Sequence, residues 1–322
     1  MVNRRAFIYA ISSVIGAARL ALAQPPARMP RIGMLRIYGP SDAANENTRQ
    51  ALRDAGYIEG QNIVIEWRYA DGKTERFPTL ATELARLKLD AIVTTGDLAI
   101  RAVREATTTT PIIAGSDDLV GERHVASLAR PGGNVTGVSI LAAELNAKRL
   151  ELLKEAVPTA SRVAVLWDPA SGAFHLPALE ATARSLKIEL KTLEIRRLRD
   201  LDGALKQAQA WRAQALNVLA SPLLNSLRGF IVEQAAVNRL PAIYQWPATA
   251  TEGGFMAYGP GLAEFWQAMV AQLNRVLKGA NPAELPVVQP TRFHLVINLK
   301  TAKALGVDIP PTLLRRADEI IQ

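Results

Sequence analysis

From residue 30 onward the chain sets short apolar blocks against longer stretches of mixed character. The blocks Pro30–Tyr38 (PRIGMLRIY), Asn62–Tyr69 (NIVIEWRY), Asp90–Thr95 (DAIVTT) and Pro111–Gly115 (PIIAG) have the length and composition of buried strands. Between them Ala43–Ala55, stopped by Gly56, then Thr74–Leu87 and Leu98–Ala106 read as helices. Strands joined by helices of this length imply a parallel sheet covered on both faces, hence an α/β protein.

The second half repeats the order. Arg162 of SRVAVLW stands where Arg31 stood, Leu216 of ALNVLAS where Leu89 stood, Pro241 of LPAIYQ where Pro111 stood, and Gly253 of GGFMAYGP where Gly132 stood. Four matches in one order, at nearly constant offset, imply two similar lobes. Gly261–Leu277 reads as a long helix returning to the first lobe, Arg292–Asn298 as a strand near the crossing, and Pro311–Gln322 as a terminal helix. The boundaries that follow are 31–139 with 261–285 for lobe one and 140–260 with 286–322 for lobe two.

Open parallel sheets bind ligands beyond the carboxyl ends of their strands. Two such sheets facing each other place the site in the cleft between them. Lobe one would then offer Tyr38 and Ser41 after its first strand, Gly96 and Asp97 after the third, Ser116 and Asp117 after the fourth, and Ser139 at the crossing. Lobe two would add Asp168 and Ser171, Ser221, the run Tyr244-Gln245-Trp246, and Tyr258. Tyr38, Tyr244 and Tyr258 would give apolar contact, Ser116, Ser139 and Ser221 hydrogen bonds, and Asp97, Asp117 or Asp168 a partner for a cation. Asp97, Asp168 and Ser171 could equally cap the helices that follow, and Tyr244, Trp246 and Tyr258 could equally belong to the core.

Arg130–Ser139 (RPGGNVTGVS) comes close to a phosphate loop, but Val138 stands where the lysine would be, so the glycines serve turns and close backbone passage. No Gly-x-Gly-x-x-Gly follows the first strand and no Gly-x-Ser-x-Gly occurs, which removes the usual dinucleotide cradle and serine nucleophile. The three histidines, His124, His175 and His294, lack ligand spacing, and the adjacent carboxylates of Gly115–Asp118 (GSDD) do not make a divalent site. A binding protein without metal or cofactor is the stronger reading. An enzyme acting on a nucleotide-like substrate is the weaker one.

The chain has 322 residues, 49% of them hydrophobic, enough for two cored lobes. Its formal charge of +8 includes Arg4, Arg5 and Arg19 within 23 residues that carry no acid, and losing that segment would leave +5. The other basic residues are scattered among acids, without a nucleic-acid motif. The same 23 residues pair a basic start with an apolar run and an Ala21-Leu22-Ala23 end, the pattern of a cleavable signal peptide, with Arg4-Arg5 also suiting the twin-arginine route. With no cysteine there is neither a disulfide nor a lipid-modified cysteine, so a freely diffusing periplasmic protein is expected.

The segments RIGMLRIY, LRDAGYIEGQNIVIEWRYADG, PGGNVTGVS and VINLKTAKALGVDIP resemble the solute-binding proteins of ABC transporters, of the tryptophan- or aromatic-amino-acid-binding type, over about Pro30–Pro310. The resemblance implies a type I periplasmic-binding-protein-like fold, with two Rossmann-like lobes joined by a multi-crossing hinge. It implies a monomer that closes over a small organic solute, amino-acid-like or aromatic, and presents it to a membrane permease driven by an ATPase on other chains. A periplasmic sensor of the same fold is the alternative. The chain departs from the family pattern at Ile140, where an Asp usually follows the Thr-Gly-Val-Ser block, and at Asp168–Gly172 (DPASG), where an Asn-Pro-x-x-x-Asn-Ser loop is usual.

Overall fold

The computed structural model describes residues 28–40 and 43–322; the segment 1–23, expected to be a signal peptide, and Ser41 lie outside the described residues. The first lobe runs β1 (Arg31–Arg36), α1 (Ala43–Asp54), β2 (Val64–Tyr69), α2 (Phe77–Ala85), β3 (Ala91–Thr95), α3 (Asp97–Ala106), β4 (Ile112–Ser116) and β5 (Val135–Ser139). The chain then crosses into α4 (Ala142–Ala156), β6 (Arg162–Trp167), α5 (His175–Ser185), β7 (Glu189–Glu194), α6 (Asp200–Ala210) and β8 (Ala215–Val218). It continues with α7 (Pro222–Ser226), α8 (Arg228–Val237), β9 (Ala242–Tyr244), α9 (Pro247–Thr251), β10 (Met256–Gly259) and α10 (Leu262–Leu277). The end comprises β11 (His294–Asn298), α11 (Leu299–Leu305), α12 (Pro311–Leu314) and β12 (Glu319–Ile321).

One sheet has the order β2-β1-β3-β4-β5 and is parallel throughout. The other is β12-β11-β10-β9-β8-β6-β7. Its segment β7-β6-β8-β9-β10 repeats the first sheet's order strand for strand, which is the physical content of the sequence repeat. In each sheet the order reverses beside the first strand, and the crevice at that switch point opens toward the other lobe. The interior strands of both sheets are apolar on both faces and covered by helices, so Ile32, Met34, Ile92, Ile113, Val163, Val165 and Ile243 are almost fully buried.

The helix α10 leaves the second sheet and packs on the first lobe, where Phe265, Trp266, Met269, Val270 and Leu273 join the core that holds Ile32 and Val138. Strand β11 then pairs antiparallel with β10, an exception to the parallel pattern. Near the crossing, the N–H of Val288 donates to the Gly137 carbonyl and that of Ser139 to Val288, so two chain passages are tied side by side.

Two expectations need correction. Thr74–Leu87 is not one helix: Thr74–Arg76 forms a 3-10 turn, and α2 begins at Phe77 with Pro78 in its first turn, where a missing N–H costs nothing. Residues 311–322 are not a terminal helix. Only one turn, α12, follows Pro310, and the chain then becomes the edge strand β12, parallel to β11. Asp318 makes that switch by exchanging two hydrogen bonds with Leu295, backbone N–H to carbonyl at 2.8 Å and side chain from the Leu295 N–H at 2.7 Å.

Candidate functional site

A cavity of about 450 Å³ lies between the carboxyl ends of the two sheets. Arg36, Ile37 and Tyr38 enter it from the end of β1, Gly96 and Asp97 from β3, Ser116 and Asp117 from β4, and Ile140 from the crossing after β5. The second lobe brings Asp168 to Ser171 from β6, Arg196 from β7, Ser221 and Pro222 from β8, and Gln245 and Trp246 from β9. The lobes touch at the rim: a Cβ on Gly96, whose φ is +88°, would lie 3.0 Å from Pro222 Cγ across the cleft. The lobes are thus in contact here, and a side chain just before α3 would crowd Pro222 and be strained at that φ.

One wall is aromatic. Trp246 and Phe265 meet edge-on with ring centroids 5.8 Å apart, Phe265 and Trp266 likewise at 5.4 Å, and the Arg36 guanidinium sits 4.6 Å over the Trp266 ring. That contact places a cation against a π face. The Arg36 Nε also donates to Asn45 Oδ1 at 3.1 Å, which holds the guanidinium from behind.

The opposite wall carries carboxylates whose charge the fold resists. Burial pushes Asp117 up to about 6, with Asp168 and Asp118 adding to the rise and Arg149 opposing it. Burial also raises Asp168, although Ser221 Oγ donates to it at 2.7 Å and the Ala170 N–H at 2.9 Å. Glu122 rises to about 7, through burial and then the neighbouring Asp97 charge. Burial works against Asp97 too, but its contacts with His124 at 2.5 Å and Arg101 at 2.7 Å outweigh it, and the Asp97 pKa ends below the ordinary value. A partly dehydrated carboxylate favours a cationic partner, since a nearby positive charge restores its ionised form.

Of the residues expected at the cleft, Tyr38, Gly96, Asp97, Ser116, Asp117, Asp168, Ser171, Ser221 and Gln245 line the cavity. Asp168 and Ser221 do so while capping. Asp168 caps the turn at Pro169, and Ser221 Oγ accepts from the Leu224 N–H at the start of α7. Ser139, Tyr244 and Tyr258 do not line it. Ser139 is buried, its hydroxyl accepting from the Leu119 N–H at 3.2 Å; Tyr244 sits in the core of the second lobe; and Tyr258 packs against Phe293. All three lie within strands and turn their side chains into the packing of the sheet faces, whereas Arg36 and Ser116, also at strand ends, turn theirs into the cavity.

Sequence reasoning missed Arg36, Phe77, Phe174, Arg196, Phe265 and Trp266. Arg36 carried a signal, being a charge at the carboxyl end of a largely apolar strand. Phe265 and Trp266 carried none, because their place depends on how α10 docks on the other lobe.

With this geometry in place, comparison with known proteins is direct. The model of the family described as ABC transporter substrate binding protein matches residues 37–321. A tyrosine-binding protein of Clostridioides difficile (strain R20291) is 26% identical over 270 residues, which is 83% of this chain and 77% of that one. Among solved structures, a conserved domain protein from Vibrio cholerae is 24% identical, with a TM-score of 0.83 over 91% of this chain and 100% of that one. An ABC domain in complex with L-Trp from Streptococcus pneumoniae is also 24% identical, with a TM-score of 0.81 over 91% and 99%. A ligand-free, open substrate-binding protein from Clostridium difficile superposes less well, at 0.62 with 22% identity over 91% and 99%. The two higher scores show the two-lobed fold.

Proposed function

This chain belongs to the family of ABC transporter substrate-binding proteins, and from that premise we propose that it captures an aromatic amino acid in the cleft and closes over it. The observation that carries this reading is the pairing, in one cavity, of the Trp246, Phe265 and Trp266 wall with the half-dehydrated carboxylates Asp117 and Asp168. An aromatic side chain finds offset or edge contacts on the first wall, and an ammonium finds a counter-charge on the second. For a carboxylate the cavity lining offers the arginines Arg36 and Arg196, with Ser116 adding a hydroxyl. A volume of about 450 Å³ suits a ligand of this size. The C. difficile relative's name points the same way, as does the L-Trp bound in the S. pneumoniae structure.

Closure supplies the mechanism. Ligand contacts to both lobes favour the closed form, with the hinge at the passages through residues 139–141, 259–261 and 286–293, which leaves 31–139 with 261–285 and 140–260 with 286–322 as the two moving bodies. The closed protein then delivers solute to a permease and ATPase on other chains, from the periplasm, after export directed by residues 1–23. No bond is made or broken in this cycle, so no catalytic group is assigned.

The test is thermal unfolding of the chain from Gln24 onward, unfolded and refolded to strip carried-over solute. L-tyrosine, L-tryptophan and L-phenylalanine are compared with leucine, sugars and nucleosides. A ligand at a hundred times its Kd adds about 2.7 kcal/mol, a rise of several degrees. Shifts confined to the aromatic amino acids are expected; a shift with a sugar or nucleoside and none with these would overturn the reading.

A further inference from the structure

Behind the carboxylate wall lies a second polar cluster that does not touch the cavity. Arg149, on α4, is completely buried, and none of its three guanidinium nitrogens has a hydrogen-bond partner among the described residues. The neighbouring core positions of α4 are Leu145, Leu150, Leu152 and Leu153, so a charge here is the exception on its own face. A buried, unpaired guanidinium is costly to a fold, and an apolar side chain of the same size would serve packing better. The charge must act on something.

Its electrostatic neighbours are Asp117, Tyr258 and His175, and of these only Asp117 lines the cavity. His175 Nε2 stands 3.8 Å from Asp117 Oδ2 on the same side. Asn146 Nδ2 donates to His175 Nδ1 at 2.9 Å, which leaves the ring proton on Nε2, facing the carboxylate. Asp117 belongs to the first lobe, after β4, whereas Asn146, Arg149 and His175 belong to α4 and α5 of the second. Asp117 thus lies where the two lobes meet, lining the cavity and standing beside the polar cluster of the second lobe. Asp118 and Asp168 are the remaining charges that face it, and both oppose its ionisation.

We propose that Arg149 is a positioning residue for solute recognition: from outside the cavity its guanidinium, on the same helix face as Asn146, the partner of His175, keeps the Asp117 carboxylate ionised at the cavity wall. This rests on the reading of the cavity as a site for an ammonium-bearing solute. It makes Arg149, which contacts no solute, a determinant of affinity for cationic groups. It also accounts for a carboxylate that stays charged while two others stand near it.

The experiment has two arms, so that failure of the solute reading and failure of this inference are told apart. In the solute-free protein, Asp117 is titrated by carboxyl-carbon NMR in wild type, Arg149→Met, Arg149→Gln and Arg149→Lys. Loss of the facing charge should raise the Asp117 midpoint by about two pH units in the neutral variants, and lysine should restore most of it. In the second arm, affinity for L-tyrosine at pH 7 should fall about tenfold in the neutral variants, as the ionised fraction of Asp117 falls. The gap to wild type should close by pH 9, and in an Asp117→Asn background the same Arg149 changes should have no further effect. An unchanged Asp117 midpoint in a folded neutral variant overturns the inference. If wild type binds no aromatic amino acid, the solute reading fails, and the first arm still decides the role of Arg149.

Discussion

Replacing Asp117 with asparagine removes a charge that folding opposes, and the structure sets the size and the pH dependence of the result. Burial lifts this carboxyl from the ordinary 3.8 to about 6, with the attraction of Arg149 already included in that balance. A tenfold change in a proton-binding equilibrium is worth about 1.4 kcal/mol, so ionised Asp117 costs about 3 kcal/mol at most. The side chain keeps 16% of its surface exposed, and the water that remains lowers the cost to about 2 kcal/mol. Because the folded pKa lies above the unfolded one, the favourable contribution belongs to the protonated form. It is fully present below about pH 3.8 and lost as the pH rises through about 6. Asparagine mimics the protonated form at every pH. In urea unfolding of the solute-free protein, Asp117→Asn should therefore be about 2 kcal/mol more stable than wild type at pH 7.5, and indistinguishable from it near pH 4. Calorimetric titration should show the reverse for function, a loss of about 1.5–3 kcal/mol in binding an ammonium-bearing solute. A variant less stable than wild type at pH 7.5, or one whose advantage persists unchanged at pH 4, would refute the account of Asp117 as a charge held against burial for the sake of the cavity.

The same distinction, between a residue serving the fold and one serving the cleft, decides what was legible in the sequence. The strand blocks could be read because strands covered on both faces need continuous apolar runs, and the second lobe could be read because it repeats the strand order of the first. The edge strand at Glu319–Ile321 could not. It is three residues long, and its extended form depends on Asp318 meeting Leu295, a partner far away in sequence. Positions just past strand ends were visible as cleft residues, since the topology of a parallel sheet sends them there whatever their identity. Ser139 looked like a ligand contact only because its partner, the Leu119 N–H, lies in a turn that no local pattern announces. Arg149 was invisible for the opposite reason: in AAELNAKRLELLKEA one arginine among lysines and glutamates reads as a solvated face, and only the packing of α4 against β8, β9 and β10 turns it inward. Phe265 and Trp266 sit in the first turns of a helix that leaves one lobe to form the wall of the other, a consequence of docking rather than of local sequence.

Further variants separate these roles. Trp266→Leu should weaken binding of an aromatic amino acid about tenfold by calorimetry, since it removes both the ring and the seat of the Arg36 guanidinium. Ser139→Ala should leave that affinity unchanged but cost about 1 kcal/mol in urea unfolding, because the Leu119 N–H loses its acceptor. Tyr244→Phe should leave affinity unchanged and be neutral or slightly stabilising, because its buried hydroxyl has no partner among the described residues. Gly137→Ala should be the most damaging of the set, although Gly137 itself lines no part of the cavity. Gly137 pairs with Ala114 across β4 and β5 at a φ of +146°, and a Cβ there would lie 1.9 Å from the Ala114 carbonyl oxygen and 2.7 Å from its nitrogen. Backbone cannot yield as a side-chain tip can, so the two strands must part beside Ser116 and Asp117, at a cost of about 4 kcal/mol or more. Low soluble yield and a much reduced Tm are the expected outcome; a variant that folds with wild-type stability would mean that the glycines of RPGGNVTGVS are kept for some contact other than this strand pairing.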